Sequence, residues 1–570
     1  MAQFTSSPGV TLNEIDNTFL TGQPVQAGAA IIGPTVKGPV EVPTLVTSYS
    51  DFKNRFGDLL VSGGDAYSYF TSIAAYNYFN YGGTSLLVTR VVTGSYTAAT
   101  SSLIETGSGG PTTGLSPFTL ETLSQGTIMN NNGTEGTNNV LSTGTEDNLR
   151  WEITNSNTGS GTFNVLIRRG NDASNKKIVL ESFNNVNLDP NSSRYIAKVI
   201  GDYNTSYDST NNQIDVSGSY PNNSRYVRVG TVNYGTPNYF DGNGIAKNAF
   251  TGSIPVNQSG SFSGATGDIK DGANFYNDIT ANNTQGLEGA NYTNMISLLS
   301  NSDQFQFNVL FAPGLTNDLH TTQVSSIITN TISRGDNLFV MDLGSFGTSV
   351  SGIITEAQTR DTSYAASYFP WVRIADPATG KHVWVPASTM IPGVYAFNDK
   401  VKAPWFAPAG INRGGLNTVL AAEYRLSQGQ KDSLYEANVN PLATLPREGV
   451  VVFGQKTLQK EASALDRVNV RRLLIEMKGY IRQIADTIVF EQNTIATRNN
   501  FLAQVNPYLE SVQQRQGLYA FKVVMDESNN GPDVIDRNQL IGQIYVQPTR
   551  TAEFISLDFI LLPTGAEFPA

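Results

Sequence analysis

The chain contains no cysteine, which excludes disulfides and thiolate metal sites. It has two histidines, His320 and His382, too few for a three-histidine zinc centre, and no His-Glu-x-x-His run. Without cysteine or a Gly-x-Ser-x-Gly elbow, nucleophilic acyl transfer lacks its usual parts. Charged residues are scarce at 15%, and the formal charge of −11 argues against broad nucleic-acid binding, which needs cations to displace condensed counterions. No apolar run approaches the roughly 20 residues of a membrane span. The start, Met1-Ala2-Gln3-Phe4-Thr5-Ser6-Ser7-Pro8, has neither a basic nor an apolar stretch, so no cleaved secretory signal is expected.

What is present suits a large, β-rich, turn-rich protein. A length of 570 residues exceeds what one core usually organises and predicts two to four domains; hydrophobic residues at 39% and aromatics at 10% are enough to build cores, and polarity comes from Ser, Thr, Asn and 53 glycines. In residues 1–20, Val10 and Leu12 alternate against Thr11 and Asn13, which reads as a lone strand or an extended arm, the commoner case being a first strand paired within its own domain. Residues 21–95 read as α/β. Short strands lie at 29–33 and 44–47, and a helix capped by Ser48 or Ser50 ends at Gly57. The helix over 66–81 carries Tyr69, Phe70, Ile73, Tyr76 and Phe79 as a core stripe, and a buried strand follows at 86–92.

Residues 96–290 are rich in Gly, Ser, Thr and Asn and nearly lack helical periodicity. Alternating runs at 149–154, 162–169, 177–182 and 226–232 predict one or two inserted β-rich domains. Trp151 and the many tyrosines fit either sugar stacking, as in a surface adhesin or receptor-binding fibre, or the commoner use, core packing. Residues 291–437 return to α/β alternation, with strands at 305–311 and 338–343 and helices at 292–300, 319–333 and 353–357. That order implies parallel strands.

No cofactor fingerprint accompanies these elements. The turn Ala312-Pro313-Gly314 has no Gly-rich cradle, and in 449–457 Gln455 separates Gly454 from Lys456-Thr457, which leaves the lysine out of register for a P-loop. Asp526 and Glu527 sit in a cluster of turn formers. No catalytic, cofactor-binding or metal-binding residue is assigned, and the chain reads as a non-enzyme.

The last quarter is the most informative. A strand-like run at 449–454 precedes an amphipathic helix over 464–490, whose Val470, Leu473, Met477, Ile481, Ile484 and Ile488 share one face. Such a helix is ~40 Å long. A second helical region, 495–515, is expected to break at Pro507 and to be capped at Gly517. Strands are expected at 519–525, 538–547 and 553–562, the last with Ile555, Leu557, Phe559 and Leu561 on one side.

Several short motifs, in order, resemble contractile phage tail sheath proteins and the sheaths of R-type bacteriocins and related injection machines. They are Ser7-Pro8-Gly9-Val10 with Glu14-Ile15-Asp16; Asp51-Phe52 with Phe56-Gly57; Gly82-Gly83-Thr84; Tyr368-Phe369-Pro370-Trp371; Gly393-Val394-Tyr395-Ala396; Ala407-Pro408-Ala409-Gly410; Phe490-Glu491-Gln492-Asn493; Ile535-Asp536-Arg537; and Thr551-Ala552-Glu553-Phe554. The resemblance covers about 1–95 and 290–568. It implies an α/β and α+β multidomain fold: an N-terminal donor arm (1–20), a core in two parts with an α/β sheet (21–95 and 291–437) interrupted by the β-rich insertion (96–290), a C-terminal domain of long helices and acceptor strands (438–547), and a C-terminal donor arm (548–570).

The function it implies is a structural subunit that polymerises helically, as stacked rings of itself, around an inner tail tube. Contraction then drives the tube through the host envelope. The implied partners are other copies, the tail tube protein, and baseplate and tail terminator proteins, with no cofactor, no nucleic acid and no membrane insertion. The implied place is the virion tail, assembled in the bacterial cytoplasm. Strands donated by neighbours (Val10, Leu12, Glu14 and Ile15; Ile555, Leu557, Phe559 and Leu561) would complete a small sheet carrying Phe521, Val523, Ile541 and Ile544. Hinges are expected at 22–24 and 547–550, and Arg467, Arg471, Lys478 and Arg482 are the expected tube-facing stripe. Burying four apolar side chains of such an arm contributes ~6–12 kcal/mol and five backbone bonds ~5 kcal/mol, against ~10–20 kcal/mol for ordering ten residues. A lone arm is near break-even, so docking needs the effective concentration of a lattice.

Overall fold

The computed structural model describes residues 25–62, 64–107, 114–268 and 274–554. Its centre is an eight-stranded sheet built from both halves of the chain. The strands are β1 (Ala29–Gly33), β2 (Thr44–Val46), β3 (Leu86–Arg90), β4 (Val309–Thr316), β5 (Leu338–Asp342), β6 (Ala365–Phe369), β7 (Asn440–Leu445) and β8 (Gly449–Val452), in spatial order β8-β7-β6-β5-β4-β1-β3-β2. Pairings from β7 through β3 are parallel, and β8 and β2 close the two edges antiparallel. The uninterrupted apolar runs of β1, β3 and β5 follow from burial on both faces.

Alternate residues feed two cores. Ile31, Val88, Phe311 and Val340 point to α1 (Phe70–Asn80), while Ile32, Leu87, Leu310 and Phe339 point to α2 (Thr321–Arg334) and α3 (Val350–Gln358). A fourth helix, α4 (Ile391–Val401), crosses α1 where Gly393 lies against the Asn77 carbonyl; a Cβ there would sit 3.1 Å from that oxygen. Of the aromatic stripe expected over 66–81, Tyr69, Phe70 and Ile73 are at most 2% exposed while Tyr76 and Phe79 are half-buried, and the helix begins only at Phe70 because Asp65–Tyr67 is a strand. Ser48 caps the first helix by accepting from the Asp51 amide, and Gly57 ends it at φ 72°.

The two core parts, 21–95 and 291–437, share one sheet, because β4 pairs with β1. One sequence boundary moves. Residues 440–452, read as the start of the C-terminal domain, are core strands: Tyr368 pairs with Asn440, and Leu442, Val450 and Val452 are buried. The helical region therefore starts after β8.

The insertion is β-rich, as read. Seven antiparallel strands between Ala98 and Ser263 form one sheet, including Leu149–Asn157, Thr162–Arg169 and Val227–Val232. Phe118 and Phe163 stack 5.6 Å apart in its core. Trp151 is 1% exposed and its Nε1 donates to the Ser261 carbonyl, so it is a packing residue rather than a sugar platform. Arg168 makes two 2.8 Å bonds to the fully buried Asp172 carboxylate.

At the C-terminal end, α5 (Val468–Asp486) is shorter than the 464–490 expected. Residues Ala464–Asp466 form a 3-10 turn, and Arg467 is extended at φ −117°. Nineteen residues give a helix of ~28 Å. The next helix, α6 (Ile495–Gln514), runs through Pro507 unbroken. Proline removes one backbone bond, but Phe501, Val505, Leu509 and Val512 are buried against α5, which holds the helix together. The left-handed residue past its end is Gln516 (φ 64°), while Gly517 is needed for close approach, since a Cβ there would meet Val512 Cγ1 at 2.6 Å.

Candidate assembly site

Past Gly517 the chain forms an antiparallel pair, β9 (Leu518–Val524) and β10 (Gln543–Pro548), with Phe521 opposite Val546 and Val523 opposite Ile544. The second strand starts at Gln543 rather than at 538, because Pro532–Asp536 is helical and Asn530 takes up the backbone before it. The Asn530 side chain donates to the Ile541 carbonyl and accepts from the Ile541 amide, both at 2.8 Å. Ile541 is thus a loop residue, 38% exposed, and not part of the sheet.

The inner face of the pair rests on the helices. Phe521, Val523, Ile544 and Val546 are half-buried against the cluster of Leu473, Met477, Phe501, Val505 and Leu509. The outer face shows Tyr519 and Tyr545, more than half exposed. Among the described residues neither outer edge of this two-stranded sheet has a partner. An isolated pair is marginal in water and its free N–H and C=O groups template further strands. The expected donors, Val10, Leu12, Glu14, Ile15, Ile555, Leu557, Phe559 and Leu561, lie outside the described residues.

Beyond β10 the chain is tied to its own body. Thr549 N donates to the Gly517 carbonyl (3.2 Å) and its hydroxyl to the Gln516 carbonyl (2.8 Å). Gln455 Nε2 donates to Thr551 Oγ1 (2.6 Å) and Glu553 Oε1 (3.0 Å). Arg467 forks onto Glu553 through Nε (2.8 Å) and Nη2 (3.0 Å), and the Tyr435 hydroxyl donates to the same carboxylate. Burial alone raises the Glu553 carboxyl, but these hydrogen bonds outweigh it and hold it below the usual range. Burial, reinforced by Glu553, pushes the Tyr435 phenol up. Residues 553 and 554 are not in a strand, and a cleft of about 430 Å³ lies between 462–470 and 550–554.

The four basic residues read as one stripe have separate fates. Arg467 precedes the first turn of α5 without a side-chain capping bond and holds Glu553. Arg471 is 3% exposed, stacks 4.0 Å from the Tyr364 ring centroid and bonds Ser363. Only Lys478 and Arg482 are exposed, and Arg482 reaches Asp303 of the core at 2.8 Å. Sequence reasoning missed the Tyr435–Gln455–Arg467–Glu553 cluster, which joins residues up to 118 positions apart and leaves no local periodic signal. Among the described residues no group of three or more His, Asp or Glu is arranged to hold a metal ion.

Comparison with known proteins adds the context. Residues 285–458 match the phage tail sheath protein central domain and residues 460–561 the phage tail sheath C-terminal domain. The join falls just after β8, where the helical region begins. A tail sheath protein of Vibrio phage KVP40 is 39% identical over 193 residues, 34% of this chain and 29% of that protein. A tail sheath protein of Salmonella phage ViI is 30% identical over 277 residues, 48% of this chain and 44% of that protein. The chain thus spans less than half the length of these relatives. The crystal structure of a sheath tail protein from Listeria innocua shares the fold, with a TM-score of 0.50 at 10% identity over 92% of this chain and 96% of that one.

Proposed function

From the premise that the chain belongs to the phage tail sheath family through residues 285–458 and 460–561, we propose that it is a structural subunit of a contractile tail sheath. In this reading it polymerises helically around an inner tube and contracts to drive the tube through a host envelope. It is a mechanical component and not an enzyme. It resides in the virion tail after assembly in the bacterial cytoplasm, and its partners are its own copies, the tube protein, and baseplate and terminator proteins.

The observation that carries the reading is the β9–β10 pair. Its buried face is supported by α5 and α6, while both outer edges are free among the described residues. Strands from neighbouring copies, 7–16 and 555–562, complete that sheet by β-augmentation. Head-to-tail exchange of this kind builds open helical assemblies rather than closed dimers. On contraction the subunits move as rigid bodies while the shared sheets keep the lattice continuous. Lys478 and Arg482 are the basic residues of α5 left to face the tube.

The test is electron microscopy of sheath assembled on tubes, with the full chain and with a chain ending at 554. The full chain forms striated tubes that shorten on triggering without releasing subunits. The shortened chain stays monomeric. Normal tubes from the shortened chain, or free subunits shed during contraction, contradict the reading.

A further inference from the structure

The sequence places a hinge at 547–550, at the root of the C-terminal arm, yet each second residue there is held by the subunit's own body. Thr549 bonds Gly517 and Gln516, Thr551 receives Gln455, and Glu553 receives Gln455, Tyr435 and a forked Arg467. These anchors come from separate places: the end of α6, the segment before β7, the loop after β8, and the turn before α5. Residues this far apart in sequence are held in one arrangement only in the folded subunit. A chain secured to them leaves the body from a fixed point.

We infer that Glu553 is a positioning residue, a clasp that makes the root of the C-terminal segment part of the rigid subunit and sets where the chain departs after Phe554. This rests on the strand-donation reading and deepens it: the arm's direction is fixed before assembly rather than found during it. Pre-set direction reduces the conformations lost when the segment docks on a neighbour. A half-buried carboxylate with a two-bond arginine fork and two further donors suits such a role, because charge-assisted bidentate pairs fix geometry as well as contribute energy. The charged and titratable groups around it are Arg467, Tyr435, Lys456, whose ammonium lies 4.4 Å from the Tyr435 ring centroid, Asp466, which pairs with Arg467, and Arg550 on the cleft wall. Among the described residues no second carboxylate bonds the two nitrogens of the arginine fork; Asp466 forms an ion pair at 3.1 Å with the remaining nitrogen, Nη1.

The clasp is tested on the unassembled full-length chain by limited trypsin digestion, using the exposed Arg550 as reporter and the exposed Arg537 as internal reference. Cleavage after Arg550 requires local release of 549–553. In Glu553→Gln the cut at Arg550 accelerates about ten- to a hundredfold, as expected for losing a hydrogen-bonded charge pair, while the cut at Arg537 is unchanged. Arg467→Gln gives the same pattern, and Glu553→Asp recovers part of the protection. Equal rates at Arg550 in parent and variants overturn the clasp. So does parallel acceleration at Arg537, which marks general loosening. Because this assay needs no assembly, its failure is distinct from failure of strand donation, which the chain ending at 554 reports.

Discussion

Arg472 of α5 and Asp399 of α4 meet at 2.5 Å, and the guanidinium lies 4.7 Å from the centroid of the buried Tyr395 ring. This pair joins the C-terminal helices to the central sheet domain, together with the Asn469 amide on the Trp405 carbonyl and the Trp405 indole on the Arg515 carbonyl. The two parts are therefore linked by polar contacts as well as by the apolar cluster. A subunit that is to move as one body needs such a link.

Removing Asp399 leaves Arg472 buried without its counter-ion. Breaking a fully buried pair costs ~3–5 kcal/mol. Asp399 is about a third exposed, so Asp399→Asn should cost less, about 2 kcal/mol. Urea unfolding monitored by far-ultraviolet circular dichroism measures it.

Leu509 is 0% exposed between α5 and α6. Leu509→Ala is expected to cost ~2–5 kcal/mol through lost contacts and the cavity left behind. Because the same cluster supports β9 and β10, the variant should also assemble less sheath at equal concentration. Calorimetry and microscopy of the same preparation check both effects.

Asp342 at the end of β5 is fully buried, and burial, only partly offset by bonds from the Ser388 amide and hydroxyl, raises its carboxyl to about 7. A raised folded value means the folded state binds the proton more tightly than the unfolded chain. Its stabilising contribution is full below the ordinary aspartate pKa of 3.8 and is lost as pH rises through about 7. Urea midpoints between pH 4 and 8 should show this fall, and Asp342→Asn should flatten it. Glu553, held low, acts in the opposite sense, losing its contribution as pH falls through its folded value.

Charge reversal separates the basic residues of α5. Lys478→Glu with Arg482→Glu should impair sheath growth on the tube and leave the thermal midpoint of the monomer within ~1 °C, as surface changes do. Arg471→Glu should instead destabilise the monomer, because it places a carboxylate among buried groups. Melting curves and tube-dependent assembly assays tell the two apart.

Much of the fold was legible where pattern and burial agree. The alternating runs at 162–169 and 226–232 became strands, and of the apolar positions from 470 to 488, Val470, Leu473, Met477 and Ile484 became the buried face of α5 while Ile481 and Ile488 are half-buried. Pro507 misled because tertiary packing of Val505 and Leu509 outweighs one missing backbone bond. The placement of 440–452 was not legible, since its parallel partner, β6, lies some seventy residues earlier. The stripe on α5 failed at Arg467 and Arg471 for a related reason. A helical wheel shows which residues share a side, but not that Glu553 and Tyr364 wait on it.

The most direct test of the shared sheet uses the absence of cysteine from the chain. Single cysteines at 555, 557, 559 or 561, each combined with Tyr545→Cys on the exposed face of β10, are oxidised in assembled sheath and resolved on a non-reducing gel. Disulfides form only when Cα atoms approach within about 7 Å. Strand donation between copies predicts a ladder of covalent multimers from at least one pair. A monomer band carrying an internal disulfide in every cross-linkable pair would contradict it.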